Sequence, residues 1–204
     1  MDKGHIILLN GTSSSGKTTI AKALQENLSE PYMHVSGDHF LGMLPEWFWS
    51  PTNQEEAVTR MRLIPAIISG LHRCVVALAE SGINLIVDHV LQEKGWLEEC
   101  VGYWDGLDVL FVGVKCPLEI AEQREKERDD RNVGTARYQY ERVHAHGLYD
   151  VEVDTSTLTV DECVTRITEL VKKKPTKAAF RELGNRFAAK ASSISKAKRN
   201  AIRS

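Results

Sequence analysis

Short apolar runs alternate along the chain with segments whose apolar residues recur every three or four positions. The runs at 5–9, 32–36, 83–87, 108–114 and 149–153 have strand length and little internal polarity. After the first run, Ile20, Leu24 and Leu28 fall four apart and predict a helix. Ala57, Met61, Ile64, Ile68, Leu71, Val75 and Leu78 predict a longer one. Pro65 lies inside that segment and is expected to kink or split it, because proline removes a helical donor. Val160, Cys163, Val164, Ile167, Leu170 and Val171 predict a last helix, starting after Asp154-Thr155-Ser156. Strands that alternate with helices predict an α/β fold, with a parallel sheet covered on both faces.

The turn between the first strand and the first helix carries the most chemistry. It reads Gly11-Thr12-Ser13-Ser14-Ser15-Gly16-Lys17-Thr18, followed by Thr19, and fits the phosphate-loop pattern G-x-x-x-x-G-K-[ST]. The glycines allow backbone N–H groups to turn inward onto phosphate oxygens, and the helix N-terminus adds positive dipole. Lys17 would reach the β- and γ-phosphates of a nucleotide, and Thr18 would ligate Mg²⁺. A flexible Ser/Gly linker would need neither the lysine nor the flanking strand and helix.

Ligands of open α/β sheets bind beyond the carboxyl ends of the strands, so the residues at the other strand ends are the next candidates. Asp88 follows Leu85-Ile86-Val87, where an acid can hold Mg²⁺ directly or through water; the bland role is a turn acid. Asp38 follows the second strand in Ser36-Gly37-Asp38-His39-Phe40. A carboxylate there can take the proton of an attacking hydroxyl, or merely cap the next segment. Arg124, Arg128 and Arg131 lie in one charged run, which reads either as lid arginines over a nucleotide or as a solvated helix face. Trp47-Phe48-Trp49, in the segment from Phe40 to Trp49, can line a small-molecule pocket or plug the sheet edge. His144 and His146 form the one weak metal-like spacing among seven histidines.

Charge changes the picture at the C-terminus. Residues 172–204 carry 11 Lys and Arg against one acid, Glu182, whereas residues 1–171 carry 15 against 27. The reading is therefore a body at 1–171 and a basic tail at 172–204, part helical through Phe180, Leu183 and Phe187. Such a tail can meet nucleic acid or an anionic membrane, fold back on the acidic body, or lie disordered. The four cysteines are scattered and predict buried free thiols. No apolar stretch is expected to reach membrane-span length, and no leader pattern is present, so a cytoplasmic location is the expectation.

Taken together, these positions resemble the chloramphenicol phosphotransferase-like family of P-loop kinases over roughly residues 4–172. The resemblance is carried by Ile7 to Lys17, Gly37-Asp38 with Phe40, Ile86-Val87-Asp88, Leu110 to Glu119, Arg128-Asp129-Asp130-Arg131, Glu141 to His144 and Gly147 to Ser156. It implies a three-layer fold with a five-stranded parallel sheet in the order 2-3-1-4-5. It also implies ATP with Mg²⁺ as donor and a small-molecule hydroxyl as acceptor. Asp38 falls on the family's proposed base, and Arg128 and Arg131 fall on its lid arginines. Segment 41–53 departs from the pattern where the acceptor pocket is shaped, so chloramphenicol is not carried over as substrate. Three other readings stay open: a nucleotide or metabolite kinase, a nucleotide-gated binding module using the tail, and a phosphate-loop toxin acting on a sugar nucleotide.

Overall fold

The computed structural model describes residues 2–127, 133–173 and 178–203. Five strands, β1 (His5–Asn10), β2 (Tyr32–Ser36), β3 (Asn84–His89), β4 (Asp108–Lys115) and β5 (Val151–Asp154), form one parallel sheet in the order β2-β3-β1-β4-β5. That is the order the resemblance implied. β1 is central, and its alternation sorts the core into two layers. Ile6 and Leu8 face one layer with Leu85, Val87, Val109 and Phe111, beneath α3 (Gln54–Glu80) and α4 (Lys94–Tyr103). Ile7 and Leu9 face the other with Ile86, Leu110 and Val112, beneath α1 (Lys17–Asn27) and α7 (Val160–Lys173). A short α2 (Gly37–Gly42) follows β2, and α5 (Leu118–Lys126) and α6 (Thr135–Val143) flank the segment where a lid is expected.

Three expectations need correction. Of the two effects expected of Pro65, the split does not occur, since α3 runs without interruption from Gln54 to Glu80. Its start is fixed by Asn53, whose side chain accepts from Glu56 N–H at 2.9 Å, and its second half is buried at Ile68, Leu71, Val75 and Ala79. Capping and packing thus outweigh one lost donor. Met61, placed on the apolar face by spacing, is 75% exposed, and the buried residues of α3 begin only at Ile68. Finally, α3 is long and apolar enough to cross a membrane by length and composition, against the expectation that no segment is. Its apolar residues are broken by too few charges to lower the average, although here the helix packs on β3 and α4.

The basic tail begins by folding back. Helix α8 (Ala179–Arg203) is anchored by Asp150, whose Oδ1 accepts from Ala178 N–H at 2.9 Å and Ala179 N–H at 3.0 Å. Ala179 and Leu183 are buried, and the Phe180 ring stacks on Trp104 with centroids 5.7 Å apart. Position 171 itself lies inside α7, so no linker separates body from tail there. Cys100, Cys116 and Cys163 are buried free thiols, and Cys74 is half-buried.

Candidate active site

The phosphate loop leaves the end of β1 with geometry that glycine makes possible. A Cβ on Gly11 would lie 2.4 Å from the Val114 carbonyl oxygen and 2.7 Å from Ser15 Oγ. Gly16, at the N-terminus of α1, has φ 92°, and Ser14 has φ 60°, both in the left-handed region. The hydroxyls of Ser13, Ser14 and Ser15 are buried without a hydrogen-bond partner. Lys17 is also buried, and its ammonium donates to the Thr12 carbonyl at 2.8 Å. A tight turn, orphaned donors and a buried cation suit a polyphosphate, which would supply the missing acceptors.

Asp88 is the penultimate residue of β3 rather than a residue after the strand, and parallel pairing sets it opposite Leu9. The Thr18 hydroxyl donates to Asp88 Oδ2 at 2.6 Å, and Lys17 Nζ stands 3.8 Å from Oδ1. His34 Nε2 on β2 is 3.8 Å from Oδ2, too far for a hydrogen bond. Burial alone would raise the Asp88 pKa, but the Lys17 charge, the His34 ring and the Thr18 hydroxyl together lower it to about 2. The carboxylate is therefore ionised across the physiological range. An ionised oxygen beside a threonine hydroxyl at a phosphate loop is a donor set that fits Mg²⁺.

Asp38 sits in the first turn of α2 and is exposed. The cap of that helix is Ser36, whose hydroxyl accepts from His39 N–H at 3.1 Å, so capping is not the role of Asp38. Asp38 lines a cavity of about 400 Å³ together with Lys17, Thr18 and Asp88. The outer wall is Leu41, Trp49, Ile64, Ile68 and Trp96. Of the aromatic segment, Trp49 lines the cavity, while Phe48 is buried and its element packs on α3.

A second cavity, of about 460 Å³, opens on the other side of the loop between Ser14, Gly16, Arg124, Thr155 and Leu158. The Arg124 guanidinium donates to Thr155 Oγ1 and to the Thr155 carbonyl, each at 3.0 Å, and Thr155 Oγ1 donates to the Ser15 carbonyl at 2.9 Å. Its neighbour Glu125 is fully buried and accepts from Gly134 N–H at 2.7 Å and Ala136 N–H at 2.9 Å. These two residues are committed to tertiary contacts, so the charged run is not simply a solvated face. Arg128 and Arg131 lie outside the described residues.

Several polar residues meet at the site without having been singled out in the sequence. Gln139 on α6 accepts from Ser13 N–H at 2.7 Å, tying the lid-side helix to the phosphate loop. His89, next to Asp88, lines the first cavity, and its Nε2 lies 2.9 Å from His72 Nε2. His72 Nδ1 donates in turn to Glu99 Oε2 at 2.8 Å. Asn10, the last residue of β1, donates to the Val143 carbonyl and to Tyr149 Oη, both at 2.8 Å, and accepts from Leu91 N–H. His144 and His146 hydrogen-bond the same tyrosine hydroxyl, and no metal-ligating cluster exists among the described residues. The partners of Ser13 and Asn10 lie 81 to 139 residues away, and no local spacing announces such a pairing.

Two Mycobacterium tuberculosis proteins, from strains CDC 1551 and H37Rv, are similar to this chain. Both are provisionally named O-phosphotransferases, and each is 32% identical over 204 residues, covering 92% of this chain and 91% of theirs. Among solved structures, a sugar kinase from Janibacter sp. superposes with TM-score 0.62 at 18% identity, over 83% of this chain and 95% of that one. The Mycobacterium tuberculosis APS kinase, bound to AMPPNP and APS, superposes with TM-score 0.59 at 15% identity, over 84% and 99%. At that identity the likeness establishes a P-loop kinase fold. Residues 4–172 match the family described as chloramphenicol phosphotransferase-like protein, and the chain belongs to that family.

Proposed function

We propose that this protein transfers the terminal phosphoryl group of ATP, with Mg²⁺, to a hydroxyl of a small molecule. Family membership and fold make it a kinase-type enzyme; the donor, the metal and the assigned residue roles are our reading. The observation that carries it is the convergence of Lys17, Thr18, Asp88 and Asp38 on one cavity with apolar and aromatic outer walls. Gly11, Thr12, Ser13, Ser14, Ser15, Gly16 and Thr19 would surround the phosphates, and Lys17 would neutralise charge on the transferring group. Thr18 and Asp88 would hold Mg²⁺, which when bound draws negative charge from the phosphate oxygens. Asp38, across the cavity, would accept the proton of the attacking hydroxyl. Arg124 and Thr155, beside the second cavity, would meet the base of the nucleotide, and Arg128 and Arg131 would close over the phosphates.

The direct test is transfer from labelled ATP to a panel of hydroxyl-bearing metabolites and antibiotics, with Lys17→Ala as control. Transfer that rises with one acceptor and falls by about 10²-fold in the variant supports the reading. Slow ATP turnover that no acceptor stimulates contradicts it.

A further inference from the structure

The wall of the first cavity contains a second cation besides Lys17. Arg60, Ile64 and Ile68 follow one another at four-residue spacing on α3 and face this cavity. The Arg60 Nε is buried and has no hydrogen-bond partner. Glu56, one turn earlier and the obvious intrahelical partner, is engaged elsewhere: its Oε2 accepts from Thr52 N–H at 2.6 Å and Thr52 Oγ1 at 3.0 Å. Lys17, the other described cation of the cavity, is already held by Thr12 and Asp88. Gln92 Oε1, on the same cavity, is also buried and without a partner. Guanidinium remains charged at any ordinary pH, so a buried N–H donor left unmade is costly unless a ligand completes it.

On the basis of the phosphotransferase reading above, we infer that the acceptor is a hydroxy-carboxylate with a flat or apolar body, and that Arg60 is the specificity-determining contact for its carboxylate. The planar guanidinium fork matches a carboxylate in two parallel hydrogen bonds. Trp49 and Trp96 offer faces for a ring or an apolar body, and Gln92 Oε1 accepts from a further O–H or N–H of the ligand. Asp38 and Asp88 share the cavity and repel excess negative charge, which favours a monoanion over a phosphate dianion. A neutral polyol can accept from the guanidinium but neither neutralises it nor matches its fork with two parallel acceptors, so a carboxylate is the better partner.

The test uses the full chain with Mg²⁺ and AMP-PNP, and the matched probes 3-hydroxybenzoate and 3-hydroxybenzamide, titrated to about 10 mM by saturation-transfer NMR. The carboxylate should bind the wild type at least about tenfold tighter than the carboxamide. Arg60→Gln should erase that preference, and Arg60→Lys should keep part of it. Equal binding of the pair to the wild type, absence of binding by either, or a preference that survives in Arg60→Gln would overturn the inference. So would a loss of AMP-PNP affinity of about tenfold or more in Arg60→Gln, which would assign the arginine to the donor. Failure of the wild type to bind AMP-PNP at all would strike the phosphotransferase reading instead, and the two failures are therefore separable.

Discussion

The Thr18 hydroxyl and the Asp88 carboxylate, 70 residues apart in sequence, meet at 2.6 Å. One comes from the first turn of α1 and the other from the end of β3, and they meet because β1 and β3 pair in parallel with Leu9 opposite Asp88. Any cation held there is held by the sheet register, with Lys17 at 3.8 Å keeping the carboxylate ionised.

Asp88→Asn is expected to keep the fold and lose the metal. The amide retains the size of the side chain and can still accept from Thr18, but it removes the negative charge that attracts Mg²⁺. The Mg²⁺ concentration that half-saturates transfer should rise by about tenfold or more, with some loss of melting temperature because buried Lys17 loses its counter-charge. Titration of transfer against Mg²⁺ checks this; an unchanged Mg²⁺ requirement would remove Asp88 from the metal site.

Removal of the tail should damage the body. Leu183 is 2% exposed within the core beneath α4, so Leu183→Ala should cost about 2–5 kcal/mol, or a melting point lower by roughly 5–15 °C. Truncation after Val171 should be worse still, because it strips Phe180 from Trp104 and Phe111. Truncation after Lys190 should leave the melting point near wild type. Thermal unfolding of the three variants decides it, and a stable chain ending at Val171 would contradict the packing described above.

Much of this architecture is legible in the sequence because it rests on local periodicity. Five apolar runs became five strands, and the phosphate loop sits in the strand–turn–helix context its pattern requires. Pro65 does not split α3 because propensity is local, whereas the cap at Asn53 and the burial of Ile68 to Ala79 come from outside the proline's own turn. The first turns of α8 were readable as an amphipathic helix, but not its docking on α4, since Asp150 caps it from 28 residues away. Of the residues that line the candidate site, Lys17, Thr18 and Asp88 stand out in the sequence by motif and position. Arg60, His89, Gln139 and Gln92 do not, because only tertiary folding turns them toward one cavity.

Acid should destabilise the fold through its buried histidines. Burial, and to a lesser extent the nearby His72, lower the His89 pKa from 6.5 to about 3. Below pH 6.5 the unfolded chain therefore binds a proton that folded His89 does not. Stability should fall by about 1.4 kcal/mol per pH unit for this group as pH drops from 6.5 toward 3. His89→Gln should be less steep by roughly that slope. Urea unfolding of both proteins between pH 7.5 and 4.5 tests this; parallel curves would mean that His89 is protonated in the fold.

Asp38 separates a kinase of hydroxyl acceptors from a protein that only binds nucleotide. It shares a cavity with Lys17 and Asp88, lies outside the Thr18–Asp88 pair, and is not the cap of α2. Asp38→Asn keeps size and hydrogen bonding but removes basicity. The most direct measurement is steady-state transfer together with ATP titration on the same preparation of this variant. The account predicts ATP affinity near wild type, with transfer slower by about 10²–10⁴-fold. Weakened ATP or Mg²⁺ binding with full transfer at saturation, or no change in either quantity, would contradict it.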